Sequence, residues 1–419
     1  MRADLTIILV TATIAALLLL ILVLLLASIA RRIGNDRKYR RLDALRMEYR
    51  RRLATLPGPE GAAAKDEAFR ARPGTLAWHA VEDVLFAAAT EGKFAGQARA
   101  LFQRLGYVAF YEKRTGGRRI LARASAVDKL GRMRSAASVP KLLPLLDEKK
   151  PEILSVTVRA FSRIGTTEAL EAIIARLPAL LGSGLVTRKA METALLNFGD
   201  AAIPFLIEYH GERADPWIVS CVLETLAHLA PDERSVSLAL AHLHSPNAEV
   251  RSKALKVLAN AGANAPSHLA GQLLPLLDDP VWFVRLQAAK SAAALVGPET
   301  ARPLGKLLFD SNWHVRRQAA MALTRFGSVA IDIFLEALST SDGYAKENIC
   351  EEIQKTGFTD HLIVNLGHSD GPVRSKSRDI LKVMEGLRFS TPLVTYLAQG
   401  GDDRIKQEIR AFLTEGTTA

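Results

Sequence analysis

The first apolar pattern in the chain is an unbroken one. From Leu5 to Ala30 there are 26 consecutive residues without a charge. As a helix they would reach about 39 Å, more than the roughly 30 Å of bilayer hydrocarbon, so the run predicts a spanning helix with room to tilt. The run is long for a cleaved leader, and Met1 to Asp4 carries no positive excess, so cleavage is disfavoured. The pattern then changes to an amphipathic one, with Leu42, Leu45, Tyr49, Leu53 and Leu56 three or four apart and arginines between them, which predicts a stalk helix. Pro57-Gly58-Pro59 breaks it. Helices are predicted again over Leu76 to Ala89 and Phe94 to Leu105, with Trp78, Phe86, Phe94, Phe102 and Tyr107 as a small aromatic core.

Beyond residue 118 the chain repeats itself. Glycines follow Ala/Leu-rich helices at Gly131, Gly165, Gly199, Gly262, Gly297, Gly327, Gly357 and Gly386, with gaps of 34, 34, 63, 35, 30, 30 and 29. The gap of 63 holds two periods, with Ala230-Pro231 in place of a glycine, so there are nine units. Each has a first helix and a second apolar stretch, and so short a unit cannot bury its apolar faces alone, so the units must stack as an all-α solenoid. The first helices share a register: Val250-Arg251, Ala254, Leu258; Val284-Arg285, Ala288, Ala292; Val315-Arg316, Ala319, Leu323. Alanine at the fourth position lets helices approach closely, and polar breaks such as Ser245-Pro246-Asn247, Asp278-Asp279-Pro280 and Asp310-Ser311-Asn312 can turn the chain and cap the next helix. The resulting division is a transmembrane anchor (1–30), a basic juxtamembrane helix (31–56), a linker (57–74), a helical pre-repeat region (75–117), the solenoid (118–398), and a capping helix with tail (399–419).

These residues resemble the short bacterial HEAT repeats. The match is close over Leu276-Leu277-Asp278-Asp279-Pro280, Val284-Arg285 and Ala288-Ala289, and closer over Val315-Arg316, Ala319-Ala320, Ala322-Leu323 and Gly327. It is weaker where Leu154 takes the Arg position and around Trp217 to Ala230. The resemblance implies an armadillo-like superhelix that binds protein partners. With a single spanning helix it also resembles bacterial inner-membrane HEAT proteins, some of them companions of membrane glycosyltransferases.

Composition agrees with an all-helical chain: 49% hydrophobic residues but only 6% aromatic ones. The charge changes the picture more. Residues 31–52 hold ten basic against three acidic residues and so supply +7 of the net +11, leaving the solenoid near neutral. A basic cluster after a spanning helix stays on the cytoplasmic side, which predicts a single-pass protein with its N-terminus outside and its solenoid in the cytoplasm. Arg31, Arg32, Arg37, Lys38, Arg40 and Arg41 are the expected contacts to anionic lipid, at about 1 kcal/mol each. Nucleic acid is the rival reading of a basic chain, but a stripe tethered to lipid has a nearer partner.

Candidate chemistry is sparse. There is no zinc-protease, nucleophile-elbow, phosphate-loop or Cys-x-x-Cys motif, and the expectation is a protein without catalytic residues, metal or cofactor. Cys221 and Cys350 read as small buried hydrophobes, and His242 and His244, two apart, do not share a helix face. Arg188, Arg251, Arg285, Arg316, Lys346 and Arg374 recur at one position of successive units; a row for an acidic partner is one account, and pairing with Asp279, Asp310, Asp342 or Asp370 of the adjoining loops is the favoured one. Trp217, Trp282 and Trp313 recur two residues before the Val position. Packing between repeats is their default account, and a surface row of Trp would instead be a hot spot for a protein partner. The expected function is a membrane-anchored scaffold. An enzyme resembling the HEAT-like bilin lyases, or docking on anionic lipid or nucleic acid through the stalk, is the alternative.

Overall fold

In the computed structural model every described secondary-structure element is helical. The structure describes the backbone except at residues 1, 56–62, 91–92, 210–214, 262–268, 296, 400 and 416–419, and, of the remainder, all side chains except those of 2–18, 63–65, 270, 298, 412, 414 and 415. Repeat glycine Gly262, the stalk residue Leu56 and the first residues of the predicted linker therefore lie outside the described residues, as do the side chains of the first part of the predicted spanning segment. The chain divides into two compact units, residues 1–173 and 174–419, and the predicted solenoid contributes to both.

In the first unit, α1 (Arg2–Ala54) is one continuous helix of 53 residues, so the predicted spanning and stalk segments are joined without a break. Its C-terminal part packs on α2 (Leu76–Thr90). The predicted stripe is what packs: Leu42, Tyr49 and Leu53 are buried, and the Tyr49 ring lies 5.8 Å from that of Phe69. Arg46 fixes the pair by donating from Nε to Asp83 Oδ2 at 3.0 Å. Next come α3 (Ala95–Arg104), α4 (Tyr107–Thr115), α5 (Ile120–Arg132) and α6 (Pro151–Ile164). The aromatic core forms as the sequence suggests, with Trp78 stacked on Tyr107 at 3.7 Å and Phe102 edge-on to Tyr107 at 5.7 Å. Phe94 alone of that set is only half-buried.

Two repeat glycines serve different needs. Gly165 ends α6 in the left-handed region (φ 71°), where a side chain is strained. Gly131 has ordinary helical geometry but lies against α6, and a Cβ there would stand 2.6 Å from Ala160 Cα.

In the second unit the first helices are α7 (Arg188–Leu196), α8 (Pro216–His228), α9 (Ala248–Asn260), α10 (Trp282–Leu295), α11 (Trp313–Leu323) and α12 (Gly343–Lys355), each packed on the next. Ala254, Ala288 and Ala319 are fully buried, as close approach at the fourth position requires. Polar cross-links join the row: Asn260 Nδ2 donates to Ala227 O at 2.6 Å, and Ser291 Oγ to Leu255 O at 3.0 Å. The weakly matching stretch from Trp217 is a regular helix that ends at an extended Leu229 (ψ −176°) in place of a glycine. α13 (Gly371–Gly386) packs on the second helices Ser328–Leu338 and Phe358–Asn365, and α14 (Asp403–Glu415) buries Ile405 and Ile409. Both cysteines are free and buried, and burial pushes each thiol up to about 12. His242 caps the helix Glu233–Ala241 and His244 lies beyond its end.

Candidate partner-binding edge

The polar breaks between repeats are helix caps. Asp215 accepts from Trp217 N at 2.8 Å, Asn247 from Glu249 N at 2.9 Å, Asn312 from His314 N at 2.9 Å and Asp342 from Ala345 N at 3.0 Å. The cap fixes the phase of the first turn. Val219, Val284 and Val315 point into the stack and are buried. A residue two positions earlier is turned by about 200° around the helix and faces outward. Trp217, Trp282 and Trp313 are accordingly 51, 41 and 50% exposed, so none of the three rings is buried in the stack.

The three are not one continuous row. The His314 ring stacks on Trp313 at 3.6 Å and faces Trp282 at 5.7 Å, so these three residues form one aromatic strip across α10 and α11. Tyr344, 75% exposed on the first turn of α12, adds an aromatic one position later in its helix. Trp217 stands apart, since the intervening helix α9 carries Ala248 at that position, and the Arg188 guanidinium covers its ring at 4.5 Å. The repeat pattern does not single out His314, although its place beside Trp313 on a capped first turn is a readable signal.

Behind this edge runs the arginine ladder. Arg251 holds Asp279 with two bonds of 2.8 and 2.9 Å, and its Nη1 also donates to Ser245 O. Arg285 repeats the arrangement with Asp310 at 2.6 and 2.8 Å and with Asp279 O. Burial alone would raise Asp310, but the bonds from Arg285 and from Asn312 N hold it below the usual carboxylate range. The predicted pairing is therefore formed by Asp279 and Asp310. It is not formed by Asp342, which caps α12, or by Asp370, and the reason is register: the ladder carboxylate stands five residues before the Val position. Thr340 and His368 occupy that place in the next two units. Arg316 keeps its bond to Asp310 O at 2.8 Å, but its buried Nε has no hydrogen-bond partner among the described residues. Among the described residues Arg374 bonds only backbone oxygens of His368 and Ser369, and Arg188 lies by Glu192 and Ser220.

Thr340→Asp is expected to complete the ladder, with Arg316 donating to the new carboxylate as Arg285 does to Asp310. Chemical denaturation should show a gain of about 1 kcal/mol. A variant no more stable than Thr340→Asn would mean that Arg316 gains nothing from a carboxylate.

The six basic residues assigned to lipid, Arg31, Arg32, Arg37, Lys38, Arg40 and Arg41, are all exposed on α1. Arg46 and Arg52, further along, bind Asp83 and Glu48 instead. Among the described residues no group of three His, Cys, Asp or Glu could hold a metal ion.

The stretch that carries the aromatic strip and the Arg285–Asp310 pair has a known counterpart. Residues 270–354 match the family of HEAT repeats. No curated protein matches the chain. Among solved structures, an engineered protein is 18% identical, with 77% of this chain and 98% of that one covered and a TM-score of 0.37. Kap121p bound to Nup53p is 12% identical over 83% of this chain and 46% of its own, with a TM-score of 0.42. Kap95p, in a structure with RanGDP, is 12% identical over 88% of this chain and 59% of its own, with a TM-score of 0.40. The chain thus spans about half the length of these two natural proteins, and at such scores neither bears on its function. Within the HEAT match lie Trp282, Trp313, His314, Arg285 and Arg316, whereas Trp217 lies outside it.

Proposed function

We propose that this protein is a membrane-anchored scaffold, in which α1 holds the chain in a bilayer and the aromatic edge of the HEAT repeats captures a protein partner there. One observation carries the anchoring. Leu19 to Leu26, Ile29 and Ile33 are each between 46 and 63% exposed, on every face of this stretch of α1. So much contiguous apolar surface is costly in water and favourable in lipid. Among the described residues no single helix is long and apolar enough to cross a membrane, and the segment that would complete this one begins before residue 19. The exposed basic residues that come next suit an anionic headgroup layer. A cytoplasmic solenoid, a membrane-associated partner such as a glycosyltransferase, and the lack of catalysis belong to the same proposal.

For partner capture the support is the strip Trp282–His314–Trp313, since exposed aromatic anchors dominate protein interfaces. The test uses the full chain in its own cells, with a photo-crosslinking amino acid at position 282, 313 or, as control, at the 82% exposed Leu121. The protein should stay in the membrane pellet after an alkaline wash, and positions 282 and 313 should trap one and the same protein that position 121 does not. Release into the supernatant would end the anchored reading. Equal, diffuse crosslinking from all three positions would end the scaffold reading.

A further inference from the structure

The arginine ladder changes character along the second unit. Two rungs are closed, Arg251 by Asp279 and Arg285 by Asp310, whereas the next two cations, Arg316 and Lys346, have no carboxylate within ion-pair distance among the described residues. Neither is a freely solvated surface cation, since both side chains are partly buried. Arg316 is held in the ladder pose: its Nη1 donates to Asp310 O at 2.8 Å, as Arg285 Nη1 does to Asp279 O at 2.8 Å. In that pose Arg285 gives its Nε and Nη2 to the carboxylate, but Arg316 Nε is hidden from solvent and has no hydrogen-bond partner among the described residues. Asp310 also feels the charge of Arg316, but both its oxygens are bound by Arg285. A buried donor left unpaired is costly, so an acceptor supplied from outside gains more at this rung than at an ordinary surface arginine.

The residues at the two vacant carboxylate positions do not fill them. Thr340 spends its hydroxyl on Ala337 O at 2.8 Å, and it lines a depression of about 430 Å³ with Lys306 and Phe309, so there is space beside the Arg316 rung. His368, at the Lys346 rung, uses Nδ1 to accept from Asp370 N at 3.0 Å. Exposed rings stand next to both cations, with Trp313 three residues before Arg316 on α11 and Tyr344 two before Lys346 on α12. Of the acidic groups nearby, Asp342 is engaged as the cap of α12, and Glu336, in the wall of the depression, lies by Arg302 at 3.6 Å.

We propose that the protein captured at the aromatic edge docks through an acidic segment, one carboxylate of which closes the Arg316 rung while its neighbours meet Trp313, Tyr344 and Lys346. The inference rests on the partner-capture reading and names the chemistry of that partner. A carboxylate offers two acceptors in the plane of a guanidinium, the geometry that the closed rungs already use. Lys346, one repeat further, adds a second positive charge to the same stretch. An apolar segment would leave Arg316 Nε unpaired, and a basic one would be repelled by both cations.

The test adds a second change to the full chain that carries the photo-crosslinking amino acid at position 282 in its own cells. Thr340→Asp should lower the amount of protein trapped about tenfold or more, because the rung is then filled from within and like charge repels the segment. Thr340→Asn should leave it unchanged. The aspartate is expected to stabilise the chain, so unfolding does not account for the loss. Lys346→Ala should lower the yield about threefold. The crosslinked segment, made as a peptide, should bind the purified full chain, and about tenfold more weakly once its Asp and Glu are replaced by Asn and Gln. If the chain with Thr340 intact traps no single protein, or only lipid, the scaffold reading ends and this proposal with it. Equal trapping by Thr340→Asp, a trapped segment without an acidic residue, or equal binding by the amide peptide would overturn the proposal and leave the scaffold reading standing.

Discussion

Glu224→Ala is expected to cost the second unit about 3 kcal/mol, because it strands two lysines at a helix interface. Glu224 on α8 is buried, and from α9 Lys253 and Lys256 reach it at 3.0 and 2.7 Å, with His228 at 3.1 Å on its own helix. Burial alone would raise this carboxyl, but the two lysines outweigh it and hold it down at about 2. A depressed carboxyl gives stability that is complete above its unfolded value near 4.5 and is lost as the pH falls through that value toward 2. Urea denaturation from pH 6 to pH 2 should therefore show an acid loss of about 2 kcal/mol from this group. Glu224→Gln should lower stability at pH 6 and flatten the acid slope. A variant with the wild-type slope would place the acid sensitivity elsewhere.

Gly131→Ala should be the reverse of the usual helix substitution. In an exposed helix interior alanine gains up to about 1 kcal/mol over glycine. Here its methyl would enter the space of Ala160, 2.6 Å from Cα and 2.8 Å from Cβ, and both contacts belong to the body of a packed helix rather than to a movable side-chain tip. Overpacking of that kind costs about 1–3 kcal/mol, so the net effect is a loss, and Gly131→Val should be worse still. Gly96, on α3 with open space around it, is the control: Gly96→Ala should leave the melting temperature unchanged or slightly raised. Equal behaviour of the two alanine variants would mean that α5 and α6 are not closely packed at this point.

The repeat architecture is legible in the sequence because periodicity is a property of the chain itself. The Val, Ala and Leu positions, the caps and the aromatic core of the first unit are readable one residue at a time. The outward direction of the tryptophans is readable too, since a residue two positions from an inward Val lies about 200° around the helix, close to the opposite face. Large apolar residues belong to a core by default, and that default conceals the direction. The ladder is legible as arginines and aspartates but not as pairs. The register that admits Asp279 and Asp310 excludes Asp342, and one threonine ends the series. The surface lined by Lys290, Gln318, Arg325 and Phe358 cannot be read in advance, because these are ordinary residues of three successive repeats that only stacking makes neighbours.

On the proposed anchoring, the unbroken α1 is also a mechanical element. Helix runs on without interruption from the end of the apolar stretch at Ala30 to the first buried contact at Leu42. That is roughly 18 Å of rigid strut. A strut sets height and azimuth, where a floppy tether would set only reach. Adding one residue between those points would shift the packed part of the first unit by about 1.5 Å along the helix axis and swing it about 100° around that axis, so the sequence length there works as a dial for its height and facing relative to the apolar stretch.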